Sequence, residues 1–213
     1  AQPHALKIVL RGNHDDPKRG GCRKLPKSGA WLVGATPHVF SVAGVSFLAF
    51  PWNQARDGGG KRSKGWLGPP LPHTDVVLSH APPRGVLDCN QLGVHIGSRA
   101  LLRSVASAVE RNESSGSASP VLWCFGHVHE CRGSKFVDVS AAGKLDKGAA
   151  KTVAAHAAGA TLCLNVSNAN DGRASCWPSN RPPTFVRLRL SETGRLATTG
   201  AVEREQARFG KFA

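Results

Sequence analysis

Short apolar segments with the length of β-strands recur along the chain, separated by segments rich in Gly, Pro, Ser and charged residues. Several are continuous runs of β-branched or aromatic residues, which is typical of strands covered on both faces. The predicted strands are ALKIVL (5–10), HVFSV and VSFLAF on either side of an Ala43-Gly44 turn, DVVLSH (75–80), VLWCFGH (121–127), KFVDVS (135–140), TLCLNVS (161–167) and TFVRLRL (184–190).

The clearest helical pattern is SRALLRSVASAVER, residues 98–111, in which Ser98 is a suitable N-cap. An apolar stripe at helical spacing is formed by Leu101, Leu102, Val105 and Val109. Because this helix lies between two predicted strands, the order predicts a βαβ unit in an α/β layered fold. The Ala-rich segment 146–160 fits either a short helix or an insertion, and the pattern does not decide between them.

Composition adds a strong basic surplus to this globular pattern. The 213 residues include 28 Lys and Arg against 14 Asp and Glu, for a formal charge of +14. Such a surplus predicts attraction to polyanions, including nucleic acid, anionic lipid or phosphorylated substrates. The basic residues are spread over many loops without interleaved aromatics, so a nucleic-acid role and a merely basic surface both remain open.

The apolar runs and the cysteines bear on where the protein works. No apolar run approaches the roughly 18 residues that a membrane span needs, and no signal-peptide pattern is visible, so an intracellular, cytoplasmic protein without membrane contact is expected. The six cysteines form no C-x-x-C pair, and two lie inside apolar strands. Buried free thiols in a reducing compartment are therefore favoured over a disulfide or zinc framework.

Histidine-bearing turns follow three of the predicted strands, in the sequences VLRGNHD, VVLSHAPP and WCFGHVHE. Because the carboxyl ends of parallel strands converge on one sheet edge, these turns are predicted to share a site. Imidazole nitrogens and an amide oxygen are ligands for manganese, iron or zinc, and two histidines one residue apart in extended chain project the same way. The site residues are Asn13, His14, His80, His127 and His129.

Taken in order, GNHD (12–15), SHAPP (79–83) and GHVHE (126–130) resemble the last three signature blocks of the calcineurin-like metallophosphoesterase superfamily. The stretches HVFSVAGVSFLAFPW, TLCLNVSNA and NRPPTFVRLRL are further similar to its metallophosphoesterase-domain branch, which acts on cyclic nucleotides and similar phosphodiesters. The resemblance implies a β-sandwich flanked by helices, with a partial phosphoesterase domain over residues 1–190 and a C-terminal tail over 191–213.

The resemblance also implies roles for the site residues. Asn13, His80 and His127 would bind one metal ion, His129 would bind a second, and His14 would orient the phosphate or donate a proton to the leaving oxygen. Two metal ions about 3.5 to 4 Å apart can activate a hydroxide and neutralise phosphoryl oxygens, which makes a hydrolase of small phosphodiester or nucleotide substrates the expected function. Gly12 is expected to relieve the tight turn, whereas Glu130 and Asn165 fit a supporting or loop role as well as a direct one.

The sequence departs from the family where the Asp-x-His and Gly-Asp blocks should precede Gly12, because only eleven residues stand there. With the ligands in those blocks missing, at most one metal ion and negligible turnover are expected of this chain. A truncated fragment is favoured by the missing Met and by the survival of the other ligands. The alternative is a non-catalytic basic protein on the same fold that binds nucleic acid or anionic partners; the oligomeric state is open.

Overall fold

The computed structural model describes residues 7–13, 31–33, 37–52, 74–113, 119–144, 151–154, 159–167, 186, 188–190 and 196–198. The strands are β1 (Ile8–Leu10), β2 (Trp31–Val33), β3 (His38–Val42), β4 (Val45–Phe50), β5 (Val76–Ser79), β6 (Leu122–Phe125), β7 (Gly133–Asp138), β8 (Lys151–Thr152), β9 (Ala160–Asn165), β10 (Leu188–Leu190) and β11 (Leu196–Thr198). The helices are α1 (Arg99–Glu113), α2 (Val139–Lys144) and a 3-10 helix over His129–Cys131. The predicted α/β class is confirmed.

A seven-stranded mixed sheet carries the architecture, in the order β3-β4-β5-β6-β9-β7-β8. Its four central strands, β4, β5, β6 and β9, run parallel, while β3, β7 and β8 pair antiparallel with their neighbours. Helix α1 connects the adjacent parallel strands β5 and β6, so the predicted βαβ unit is present. The Ser98 hydroxyl accepts a 3.0 Å hydrogen bond from the Leu101 amide, which confirms the predicted N-cap.

Two apolar layers cover the faces of the sheet. On one face, Leu101, Val105 and Val109 of α1 pack with strand residues that include Trp123 and Phe125. On the other face, the alternate positions Val76, Leu122, Leu162 and Leu164 contact apolar side chains that include Val186 and Leu188. Both faces are therefore buried, as the continuous apolar runs predicted. Among the helices that the structure describes, none has the length and apolar character that crossing a membrane requires.

Several boundaries differ from the sequence prediction. The strand predicted over 135–140 ends at Asp138, because its carboxylate Oδ1 accepts hydrogen bonds from the Ala141 amide (3.0 Å) and the Ser140 hydroxyl (2.7 Å) and so begins α2. The Ala-rich segment 146–160 contains β8, which pairs with β7. Strand β2, which pairs with β1, and β11, within the predicted tail and paired with β10, were not predicted.

The described cysteines Cys89, Cys124, Cys131 and Cys163 carry free thiols, in agreement with the prediction for this part of the chain. Burial raises the pKa of the Cys124 thiol to about 12 and raises that of Cys163 further above its ordinary range. Both thiols are therefore neutral members of the sheet.

Candidate metal centre at the carboxyl edge of the sheet

The parallel arrangement of β4, β5, β6 and β9 brings four segments to one edge of the sheet. Trp52 follows β4, His80 follows β5, His127 follows β6, and Asn165 is the last residue of β9. The end of β1 joins this edge through a 3.2 Å hydrogen bond from the Trp52 amide to the Arg11 carbonyl. The predicted convergence of strand ends is thus present in the structure.

Three of the predicted ligands lie together at this edge. His80 Nε2 donates a 2.9 Å hydrogen bond to Asn13 Oδ1. The centroid of the His127 ring is 5.1 Å from that of His80. The Trp52 ring contacts both imidazoles, with centroids 5.2 Å from His80 and 4.8 Å from His127, and forms an apolar wall of the site.

Gly12 is required by the closeness of the His80 ring. A Cβ atom at position 12 would lie 2.6 Å from His80 Cε1 and 2.9 Å from its Nδ1. Gly12 does not adopt the left-handed backbone conformation, so the predicted role in relieving a turn is replaced by a packing role. The residue with no side chain lets the backbone of the Asn13 segment approach the imidazole.

His127 adopts a backbone conformation that favours glycine, with φ of 72°. This conformation costs roughly 1–2 kcal/mol for a residue with a Cβ atom. The turn is held in place because the amide of the preceding Gly126 donates a 3.1 Å hydrogen bond to the His80 carbonyl. The sharp turn directs the chain from β6 into the 3-10 helix and brings the His127 ring beside that of His80.

His129 begins the 3-10 helix, and Val128, between the two histidines, has an extended backbone. The expectation that the two imidazoles project the same way stays a prediction. In the described part of the chain, Asp88, Cys89 and His95 are the one group of three His, Cys, Asp or Glu ligand atoms within 4.8 Å of one another. His129 therefore does not complete such a group with His80 and His127. His14 lies outside the described residues.

Asn165 joins two of the loops that border the site. Its buried amide Nδ2 donates to the Val128 carbonyl at 2.7 Å and to the Leu87 carbonyl at 3.1 Å. Its Oδ1 accepts a 3.0 Å hydrogen bond from the Ser167 amide. Between the direct and supporting roles left open for Asn165, these contacts favour the supporting one, because its side-chain atoms are engaged with the backbone.

The donor set at the edge fits a divalent metal ion. Two imidazoles and an amide oxygen suit borderline cations, and two ligands bound side by side at about 2.1 Å from an octahedral ion lie about 3 Å apart. The observed separation of His80 Nε2 and Asn13 Oδ1, 2.9 Å, agrees with this value.

Two buried polar atoms of the described residues have no hydrogen-bond partner: Arg11 Nε and Ser167 Oγ. They are close in sequence to Gly12 and Asn165. Unmet polar atoms of this kind fit a site that binds a polar ligand.

A second polar cluster was missed by the sequence analysis. Asp88, Cys89 and His95 form the group that could hold a metal ion, with Asp88 buried, Cys89 half-buried and His95 exposed. The signal is present in the sequence as DCNQLGVH, but its spacing matches no common ligand motif. The two ends meet because of the turn between them, which a ligand-spacing rule does not anticipate.

Comparison of the chain with models of protein families, with curated proteins and with solved structures found no match.

Proposed function

We propose that the chain carries the site of a metal-dependent phosphoesterase of the calcineurin-like type, and that a chain with the full set of ligands acts on phosphodiesters such as cyclic nucleotides. The observation that carries the proposal is the meeting of Asn13 and His80, 67 residues apart in sequence, at 2.9 Å beside the His127 ring. Each of these residues belongs to a different block of the resemblance, and the three blocks come together at one sheet edge.

The residues divide the work between holding a metal ion and handling the substrate. Asn13, His80 and His127 would hold one divalent ion, and His129 would contribute to a second. When bound, such ions supply charge that stabilises the phosphoryl oxygens and lowers the pKa of a water nucleophile. His14 would orient the phosphate or donate a proton to the leaving oxygen. The formal charge of +14 favours approach of an anionic substrate.

The first experiment measures metal binding to the 213-residue chain. Titration calorimetry with Mn²⁺ or Zn²⁺ should show an ion whose binding is lost in His80→Ala. The exposed His38 supplies the matched control, because His38→Ala removes an imidazole on the edge strand β3 and should leave that binding intact. Equal binding in the wild type and in His80→Ala would overturn the metal site.

The second experiment tests catalysis. The donors in this chain are enough to hold at most one ion, so its manganese-dependent hydrolysis of bis(p-nitrophenyl) phosphate should be negligible. A chain that also carries Asp-x-His and Gly-Asp blocks ahead of Gly12 should hydrolyse this substrate and one of a panel of cyclic nucleotides. If that chain binds two metal ions but hydrolyses neither bis(p-nitrophenyl) phosphate nor any cyclic nucleotide of the panel, the phosphodiesterase proposal fails while the metal site stands.

The basic surplus supports a second candidate, a non-catalytic protein that binds nucleic acid or anionic partners on the same fold. Binding through phosphate contacts falls steeply as salt rises and does not depend on bound metal. RNA binding measured by fluorescence anisotropy at two salt concentrations, with and without EDTA, separates the candidates. Binding that EDTA abolishes, or that salt leaves unchanged, would count against the second candidate.

A further inference from the structure

The loop between β5 and α1 closes on itself through a short turn. Cys89 and His95 form an isolated antiparallel bridge, and the Asn90 side-chain oxygen accepts hydrogen bonds from the amides of Leu92 (3.0 Å) and Val94 (2.9 Å). The Gly93 amide donates a 2.9 Å hydrogen bond to the Asn90 carbonyl. This turn brings a thiol and an imidazole that are six residues apart into contact.

Asp88 stands behind the imidazole as a fixed, buried carboxylate. Its side chain is 0% exposed, and its Oδ2 accepts hydrogen bonds from the amides of Gly85 (3.0 Å) and Gly97 (2.9 Å). Its other oxygen, Oδ1, lies 2.6 Å from His95 Nδ1. Because Nδ1 faces the Asp88 carboxylate, Nε2 is the ring nitrogen that is left to bind an ion.

Cys89 offers a sulfur atom beside the same imidazole. Its Sγ lies 3.7 Å from His95 Nε2, and two ligands of a tetrahedral zinc ion, one sulfur and one nitrogen, lie about 3.5 Å apart. The His95 side chain is 48% exposed, which leaves the ring open to an ion from solvent while Nδ1 keeps its contact with Asp88. A histidine ligand backed by a carboxylate is a recurring arrangement in metal sites.

We propose that Cys89 and His95 form a metal site for a thiophilic divalent cation such as zinc, separate from the centre at Asn13 and His80, with Asp88 as the residue that positions His95. Water completes the coordination at the exposed side. The inference does not depend on the proposed phosphoesterase activity, since it uses none of those ligands.

The competing role for the same residues is a cysteine nucleophile with His95 as its base. The geometry counts against this role, because Sγ lies closer to Nδ1 (3.3 Å) than to Nε2 (3.7 Å), and Nδ1 is already bonded to Asp88. A base that activates a thiol must accept its proton on a free nitrogen.

Titration of the full chain with Co²⁺ tests the site, because a thiolate ligand to cobalt gives a charge-transfer absorption in the near ultraviolet. The centre at Asn13, His80 and His127 contains no sulfur and gives no such band. We expect the band in the wild type and in His80→Ala, its displacement by Zn²⁺, and its loss in Cys89→Ser and His95→Gln. Cys131→Ser is the matched control, because the Cys131 thiol donates to the Cys89 carbonyl at 3.1 Å and a hydroxyl can replace it there.

Two results would overturn the site. The first is a charge-transfer band that persists in Cys89→Ser or is absent from the wild type. The second comes from alkylation with iodoacetamide, followed by mass spectrometry of the Cys89 peptide. Zn²⁺ should slow alkylation of Cys89 at least tenfold in the wild type, and rapid alkylation that Zn²⁺ does not slow would assign Cys89 as a nucleophile.

Asp88→Asn should weaken the metal affinity about 10- to 100-fold, as expected for a positioning carboxylate.

Discussion

His80 Nε2 donates a 2.9 Å hydrogen bond to Asn13 Oδ1, which joins the turn after β5 to the turn after β1. The two atoms are both metal-ligand types, and a cation between them would take the place of the shared proton. Replacing His80 with Ala should therefore remove metal binding, whereas replacing His14, which is not assigned as a ligand, should leave the affinity nearly unchanged. Titration calorimetry with Mn²⁺ measures both. An equal loss in the two variants would show that His14 is a ligand.

Gly12→Ala should weaken the metal site without touching a ligand. The new Cβ would lie 2.6 Å from His80 Cε1, so either the imidazole or the backbone at position 12 must shift, which disturbs the contact between His80 and Asn13. We expect a loss of stability of about 1–3 kcal/mol from this overpacking, together with a lower Mn²⁺ affinity. The control is Gly133→Ala, where a Cβ would meet no atom within 4 Å. Unchanged affinity in Gly12→Ala would mean that the His80 position does not govern binding.

His127→Gly should separate binding from stability. Glycine adopts a φ of 72° without the penalty that histidine bears there. Relief of this strain should contribute about 1 kcal/mol of stability, which partly offsets the packing lost with the imidazole ring. The metal affinity should fall because a ligand is gone. Urea unfolding and calorimetry measure the two effects, and His127→Ala, which loses the ring but keeps the strain, is the comparison. If His127→Gly is less stable than His127→Ala, the backbone is not strained at this position.

Asn165→Ala should disturb the site through the loops it joins. The variant leaves the buried carbonyl of Val128 without its 2.7 Å donor, and Leu87 loses its 3.1 Å donor. Leaving the buried Val128 acceptor unpaired costs about 1–3 kcal/mol, which should appear in urea unfolding. Because Val128 lies between His127 and His129, metal affinity should fall as well. An affinity that stays at the wild-type value while stability falls would confine Asn165 to a structural role.

Alkaline pH should destabilise the fold through Cys124. Burial raises the pKa of its thiol from 9.0 to about 12. The unfolded chain therefore loses this proton first as the pH rises, so the contribution to stability is complete below about pH 9 and decreases by about 1.4 kcal/mol per pH unit between 9 and 12. Urea unfolding at several pH values measures the slope. Cys124→Ala should reduce that slope, and an identical slope in the variant would contradict the assignment.

The pattern of apolar and polar residues determined the local elements. Continuous β-branched runs predicted β4, β5, β6 and β9, because strands covered on both faces have no polar alternation. The stripe that includes Leu101 and Val105, with Ser98 as its cap, predicted α1 for an equally local reason. The same pattern did not predict β2 and β8, since segments of three and two residues carry too little periodicity.

For the site, the sequence determined which residue types stand at the ends of strands, and the order of the parallel strands decided which of them meet. His80 and His127 were predictable as neighbours because the parallel strands β5 and β6 end at a common edge. Asn13 follows β1, which pairs with β2 outside this sheet, so its contact with His80 depends on tertiary packing. The closeness of His80 to Gly12, the left-handed backbone of His127 and the contacts of Asn165 depend on how separate loops pack against one another. The contact of Cys89 with His95 likewise arises from a turn closed by the Asn90 side chain, a tertiary feature that residue spacing alone does not encode.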